Sequence, residues 1–190
     1  MIKLVPNLLG SPLEKLSKEN PYSVIIDVTS KSDNDYVMLS PFYPHGNIPI
    51  PFSENIFSES VEGVWQGLKT FENHNVDLSK FKVSNMKGIK RTVRKYGYVI
   101  GHRKGVNGKE ILDYYQARVK IYLPTYEWVL KNKATHLIEK ITQLSLEKDV
   151  ILLDYETNSD IKNLSKPLSH AYLIKYYIEN NHSFENLNIS

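Results

Sequence analysis

Ser60-Val61-Glu62-Gly63-Val64-Trp65-Gln66-Gly67-Leu68-Lys69 is the stretch on which the fold turns. A serine stands ahead of an apolar periodicity, and Ser is a preferred helix N-cap because its hydroxyl accepts an otherwise unpaired backbone N–H. The pattern predicts a helix over 60–72. At about 100° per residue, Val61, Val64, Trp65 and Leu68 fall on one apolar stripe. Glu62, Gln66 and Lys69 line up beside it, and Gly63 and Gly67 leave a bare strip on the far side. An interior Gly costs a helix about 1 kcal/mol relative to Ala. Two of them four residues apart predict the close approach of another backbone. The helix is therefore expected to be central, with its polar stripe lining a pocket; an amphipathic surface helix is the alternative.

Upstream, Tyr22-Ser23-Val24-Ile25-Ile26-Asp27-Val28 is β-branched and bounded by Asn20-Pro21 and Thr29-Ser30, which predicts a buried strand. Tyr36-Val37-Met38-Leu39 reads as a second strand. Pro41, Pro44, Gly46, Pro49 and Pro51 then break regular structure. Because this loop carries Phe42, Tyr43, Ile48, Ile50 and Phe52, it is expected to pack against the body. Downstream, helices are predicted over 110–122 (stopped near Leu123-Pro124), 125–131, 134–146 and 167–179, the last with Pro167 in its first turn. Asp149-Val150-Ile151-Leu152-Leu153-Asp154 reads as a buried strand whose last residue emerges at a sheet edge. Repeats, low-complexity segments and linkers are absent from the sequence. The expected fold is one helix-rich α+β domain over 1–190, built around a small β-sheet.

Composition narrows the function classes. A chain of 190 residues with 41% hydrophobic and 24% charged residues suits one globular domain. No apolar run approaches the roughly 18 residues that span a bilayer, so no membrane association is expected. The first ten residues hold one Lys and a short, Pro-broken apolar run, a poor secretory signal, and the expected compartment is the cytoplasm. The absence of cysteine excludes disulfides, thiolate metal sites and a Cys nucleophile. Six histidines occur without a His-x-x-x-His or His-Glu-x-x-His pattern, so neither a metal nor a cofactor is expected.

The net charge of +3 conceals an asymmetry. Between 79 and 109 there is no acid, yet Lys80, Lys82, Lys87, Lys90, Arg91, Arg94, Lys95, Arg103, Lys104 and Lys109 are basic. Self-repulsion disfavours such a run unless an anion shares the site, so phosphates are weighed against a solvated basic face. Gly101-His102-Arg103-Lys104-Gly105-Val106-Asn107-Gly108 reads either as a phosphate cradle or as a β-turn with solvated side chains.

Two carboxylates stand in unusual settings: Glu62 on the polar stripe, and Asp154 at the end of an apolar run followed by a polar cluster. Paired carboxylates serve glycosidic cleavage, one assisting the leaving group while the other stabilises an oxocarbenium-like sugar or activates water. Each also has a plain alternative, Glu62 pairing with Lys69 or Lys90 and Asp154 capping a turn.

Leu39-Ser40-Pro41-Phe42-Tyr43-Pro44 followed by the Ser60–Lys69 stretch resembles the opening signature of the NADAR (YbiA-like) superfamily. That signature joins a Ser-Asn-Phe-Tyr-Pro-like turn to a Ser-x-Glu-His-x-x-Gln-x-x-Lys helix. Ile89-Lys90-Arg91, the region 114–129, the strand-like run ending at Asp154 with Asp160 after it, and Pro167-Leu168-Ser169-His170 follow in the family's order. The chain departs from the family at Gly63 (His there), Pro41 (Asn there) and Asp154 (Glu there), and it lacks a late Trp-Gly. The resemblance implies a pocket for ADP-ribose or a ribosylated base and N-glycosidic hydrolysis without a metal. It implies Glu62 and Asp154 as catalytic carboxylates, Lys69, Lys90 and Arg91 at phosphates, and Ser40, Gln66 and Asn158 at the ribose, with Asp160 nearby. Trp65 or Tyr43 would stack on the base. The implied partner is an ADP-ribose-like or nucleotide ligand, including ADP-ribosylated nucleic acid. Two alternatives stand beside the enzyme: a catalytically silent ADP-ribose-binding protein, and a nucleic-acid-binding protein using the basic run.

Overall fold

The computed structural model describes residues 1–6 and 13–187, so residues 7–10 of the stretch read as a poor secretory signal lie outside the described residues. In chain order the elements begin with β1 (Ile2–Pro6), α1 (Leu13–Glu19), β2 (Val24–Asp27), a 3₁₀ turn (Asp35–Leu39), β3 (Ile48–Pro49) and β4 (Phe57–Ser58). Next come α2 (Val61–Leu68), β5 (Lys69–Phe71), α3 (Leu78–Phe81), α4 (Val93–Tyr96), β6 (Val99–Arg103) and β7 (Ile111–Leu112). The chain continues through α5 (Tyr114–Ala117), a π turn (Arg118–Tyr122), α6 (Leu123–Asn132), α7 (Thr135–Glu147), β8 (Val150–Asp154) and α8 (His170–Glu179). The fold is α+β, with more helix than strand. In place of one small sheet, the described residues form three. The chain divides into two compact units, Met1–Ser40 with Ala134–Ser190, and Pro41–Lys133.

The first unit is built on a parallel sheet in the order β1-β8-β2, with Val150 in register with both Ile2 and Val24. Central parallel strands read as continuous apolar runs because both faces are covered. All five residues of β8 are buried, and α7 and α8 pack against the strand. Each Val, Ile or Leu so buried is worth about 1.5–3 kcal/mol relative to exposure. Asp154 therefore does not emerge at an edge. It ends the central strand at 3% exposure.

The second strand expected in this unit is absent: residues 35–39 coil into a 3₁₀ turn instead. Asn34 Oδ1 accepts the Tyr36 N–H at 3.0 Å, and the Ser40 N–H returns to the Val37 carbonyl at 3.0 Å. Local capping thus wins over β propensity. Helix α8 starts at His170, not at Pro167, because Ser169 is the cap that accepts the Tyr172 N–H.

The second unit is organised on α2, every residue of which is buried. Ser60 caps it by accepting the Gly63 N–H at 2.9 Å. The glycine strip has the purpose its spacing predicts. A Cβ on Gly63 would lie 2.6 Å from Ser58 Oγ and 2.9 Å from the Lys80 carbonyl oxygen, and one on Gly67 would run into the Phe81 ring. The helix stops at Leu68 rather than 72, since Lys69–Phe71 extends into β5 and pairs antiparallel with β6. The proline-rich loop holds the short β3–β4 pair, with Ile48 and Ile50 in the core and Phe52 exposed.

Two expectations fail between 110 and 131. Ile111–Leu112 joins the sheet as β7, so the helix begins only at Tyr114, where Asp113 accepts the Gln116 N–H at 2.7 Å. It then runs through Pro124 to Asn132 without a stop. The Leu123 N–H bonds the Arg118 carbonyl, an i→i+5 register that widens the backbone just where a proline ring meets the preceding turn.

Candidate functional site

Glu62 and Gln66 lie one turn apart on α2, buried at 9% and 5% exposure. The Glu62 N–H donates to the Pro41 carbonyl at 2.8 Å, tying the helix start to the proline-rich turn. Gln66 bridges two partners: its Oε1 accepts the Arg91 backbone N–H at 2.9 Å, and its Nε2 donates to Glu62 Oε1 at 2.9 Å. The first bond fixes the second. A backbone N–H can only donate, so the Gln66 oxygen must face Arg91 and its NH₂ must face Glu62. Glu62 Oε1 is thereby an acceptor, and a proton on this carboxyl belongs on Oε2.

The electrostatics favour that proton. Burial raises the Glu62 pKa above its ordinary value, and this outweighs the opposing effects of Gln66, Lys90 and Lys69. Lys69, half-buried at the start of β5, moves the other way. Burial lowers its pKa, with Arg91 and Lys90 adding to the effect and Glu62 opposing it. Burial thus pushes the Glu62 carboxyl up and the Lys69 ammonium down, each against the other's charge, and opposed shifts of this kind cluster at functional sites.

Arg91 does not have the role expected of it. Its guanidinium is buried, donates to the carbonyls of Gln66, Lys69 and Asn75, and lies against the rings of Phe71 and Tyr96 at 4.7 and 4.9 Å. A cation so committed holds α2, β5 and the 72–77 turn together rather than meeting a phosphate. Lys90, by contrast, is exposed over the Phe42 ring at 5.4 Å. Trp65 also differs from expectation. It is 8% exposed, its ring lies 3.7 Å from that of His102, and Tyr114 and Tyr122 meet it edge-on, so it is a core residue rather than an open stacking surface. Tyr43 is half-buried beside His45, with ring centroids 4.8 Å apart.

The remaining candidates belong to the first unit. Ser40 is buried at its boundary. Asp154 is committed to α8: its Oδ2 accepts from Ser169 Oγ at 2.8 Å and from the Ala171 N–H at 3.3 Å, and lies 3.0 Å from His170 Nδ1. Its Oδ1 accepts the Tyr155 N–H at 2.7 Å. His170 Nε2 meets the Val28 carbonyl at 2.8 Å. With acceptors at both nitrogens, the imidazole must donate from both and is therefore cationic. Burial opposes that charge, but Asp154, Val28 and Asp27 outweigh it and raise the His170 pKa. Burial would raise Asp154 too, but His170, Ser169 and Ala171 hold it below its ordinary value. This is a structural ion pair with the oxygens occupied, and it takes Asp154 out of the chemistry. Asn158 accepts the Asp160 N–H and donates to the carbonyls of Asn163 and Lys166, while Asp160 accepts the Lys162 N–H. Both shape their own loop.

A family model described as a family of unknown function, DUF6939, matches residues 11–174. The chain belongs to the DUF6939 family. No curated protein matches it. In this DUF6939 chain no helix among the described residues is long and apolar enough to cross a membrane. No cluster of three or more His, Cys, Asp or Glu among them could hold a metal ion. The basic run of this DUF6939 member is partly structural. Lys80 donates to the Gly88 carbonyl, Arg103 to the Lys109 carbonyl and Asn75 Oδ1, and Lys104 pairs with Glu110 at 2.7 Å. Gly101, His102 and Arg103 of the 101–108 run belong to β6, and the rest lies in the connection to β7, with Gly105 at φ 81°. In the sequence reading His102 stands only within the Gly101–Gly108 run, with no role of its own; nothing in the sequence marks it as a buried strand residue.

Proposed function

We propose that this protein is an N-glycosidase-like hydrolase acting on a ribosylated, nucleotide-like substrate such as an ADP-ribosylated base, with Glu62 as its proton donor. The reading rests on one observation: Glu62 is a buried carboxyl whose pKa burial raises, and the Arg91–Gln66 chain occupies Oε1, which leaves Oε2 as the oxygen to carry a proton. An N-glycosidic bond breaks readily only when the departing base nitrogen is protonated, and a carboxylic acid held neutral at working pH supplies that proton. Glu62 Oε2–H gives its proton to the leaving nitrogen as the C1′–N bond breaks, and the bonding pair leaves with the base. Water then bonds to C1′ and surrenders a proton to the Glu62 carboxylate, which restores the acid. Lys69 and Lys90, whose charges both act on Glu62, are the cations that would meet an anionic substrate in this reading.

The resemblance of the Ser60–Lys69 stretch to the NADAR superfamily supports the same substrate class. One carboxyl rather than two carries the chemistry in this account. The test is release of free base from ADP-ribosylated guanine by the wild-type chain and by Glu62→Gln, which keeps the shape of the side chain but has no acid proton. Loss of turnover in the variant supports the reading, and equal turnover removes Glu62 from the mechanism.

A further inference from the structure

His102 occupies the middle strand of the second unit's three-stranded sheet, in register with Lys69 across the β5–β6 pair, so the two side chains leave the same face. Trp65, one turn along α2 from Glu62, stacks on its ring with centroids 3.7 Å apart and planes 33° apart, and Tyr114 closes the side at 6.3 Å. The residue is wholly buried, yet neither Nδ1 nor Nε2 has a hydrogen-bond partner among the described residues. Unpaired polar atoms in a buried ring destabilise a fold, and a phenyl ring of the same shape would avoid the penalty. Packing alone would favour an apolar ring at this position.

The chemistry of the ring narrows what it serves. Burial and the neighbouring Lys69 hold its pKa down at about 3, so it is neutral at working pH, with one nitrogen donating and the other accepting. A neutral ring is a poor partner for phosphate. A hydroxyl, which both donates and accepts, satisfies either tautomer. Lys69 beside it supplies the positive charge that the imidazole lacks.

We propose that His102 and Lys69 form a sugar subsite of the Glu62 site, in which the imidazole hydrogen-bonds a ribose hydroxyl next to the Lys69 ammonium. This rests on the functional reading above and adds to it the residue that selects the sugar. Because the ring is covered in the free protein, ligand entry moves the Trp65–His102 stack and changes the indole emission.

The experiment is calorimetric titration of ADP-ribose into the full chain, His102→Phe and His102→Gln, with melting temperatures for each. The expected result has opposite signs. His102→Phe melts at or above the wild-type temperature and binds at least tenfold more weakly, whereas His102→Gln, which keeps a donor and an acceptor, recovers part of the affinity. Wild-type affinity in His102→Phe would overturn the subsite while leaving the Glu62 reading intact. A clearly lowered melting temperature in His102→Phe would also overturn it, by showing that the ring nitrogens are satisfied within the fold. Failure of the wild-type chain to bind ADP-ribose would bring down the functional reading and the subsite with it.

Discussion

Gln66 acts through both ends of its amide, and its two bonds do different work. The Arg91 N–H fixes which way the amide points, and the amide then lowers the Glu62 pKa against the larger effect of burial. Replacing Gln66 by Leu removes the second bond, so the Glu62 pKa rises further. The limb of the pH–rate profile on which activity falls with rising pH, as the acid loses its proton, moves to higher pH. The same substitution leaves the Arg91 N–H unpaired, which costs about 1–3 kcal/mol in a denaturant titration. Gly67 offers a test of packing alone. Ala there drives a methyl into the Phe81 ring, and overpacking of this kind destabilises by about 1–3 kcal/mol, read as a lowered melting temperature. The glycine spacing was legible because two interior glycines four residues apart cost the helix stability that a close approach of other atoms accounts for, here Ser58, Lys80 and Phe81. The role of Arg91 was not, since a sequence displays the cation but not the three carbonyls that claim it.

Asp154 and His170 join the end of β8 to the start of α8, and that junction carries its own pH dependence. His170 is raised above its ordinary value of 6.5, so its contribution is complete below that value and is lost as pH rises through the folded-state pKa. Asp154 is held below its ordinary value of 3.8, so its contribution is complete above that value and is lost as pH falls through the folded-state pKa. The pair therefore stabilises fully between those two ordinary values, and less on either side. Asp154→Ala is expected to lower stability by about 3 kcal/mol near pH 5.5, since breaking a buried pair strands the remaining charge. The loss shrinks as pH rises through the raised folded-state pKa of His170, which denaturant midpoints measured across pH would show. Among the elements, β8 and β2 were legible because each is an unbroken apolar run bounded by polar or turn residues, and α7 because its apolar residues keep the helical period. Residues 36–39, the start of the helix at 114 and its passage through Pro124 were not: an Asn34 cap decides the first, a sheet partner the second and a π turn the third.

At the scale of the chain, the pairing of β1 with β8 joins the first residues to the 150s, while 41–133 forms a unit of its own. The proline-rich stretch that opens this segment at Pro41 carries apolar residues that read as packing against the body, and no linker-like run marks its other end at 133, so the sequence reads as a single body. Local periodicity reports elements, but it does not report which distant strand a given strand will pair with. The two carboxylates that spacing suggested as partners belong to different units, and their environments separate them by role. Glu62 is a raised, buried acid, and Asp154 is an ion-paired anchor. The account stands on the first of these. General acid catalysis is worth about 10²–10⁴ in rate. The direct measurement is therefore base release from ADP-ribosylated guanine by the wild-type chain against Glu62→Gln at matched thermal stability. A loss of at least about 100-fold in the variant is predicted, and equal rates, or no release by the wild-type chain, would contradict the assignment.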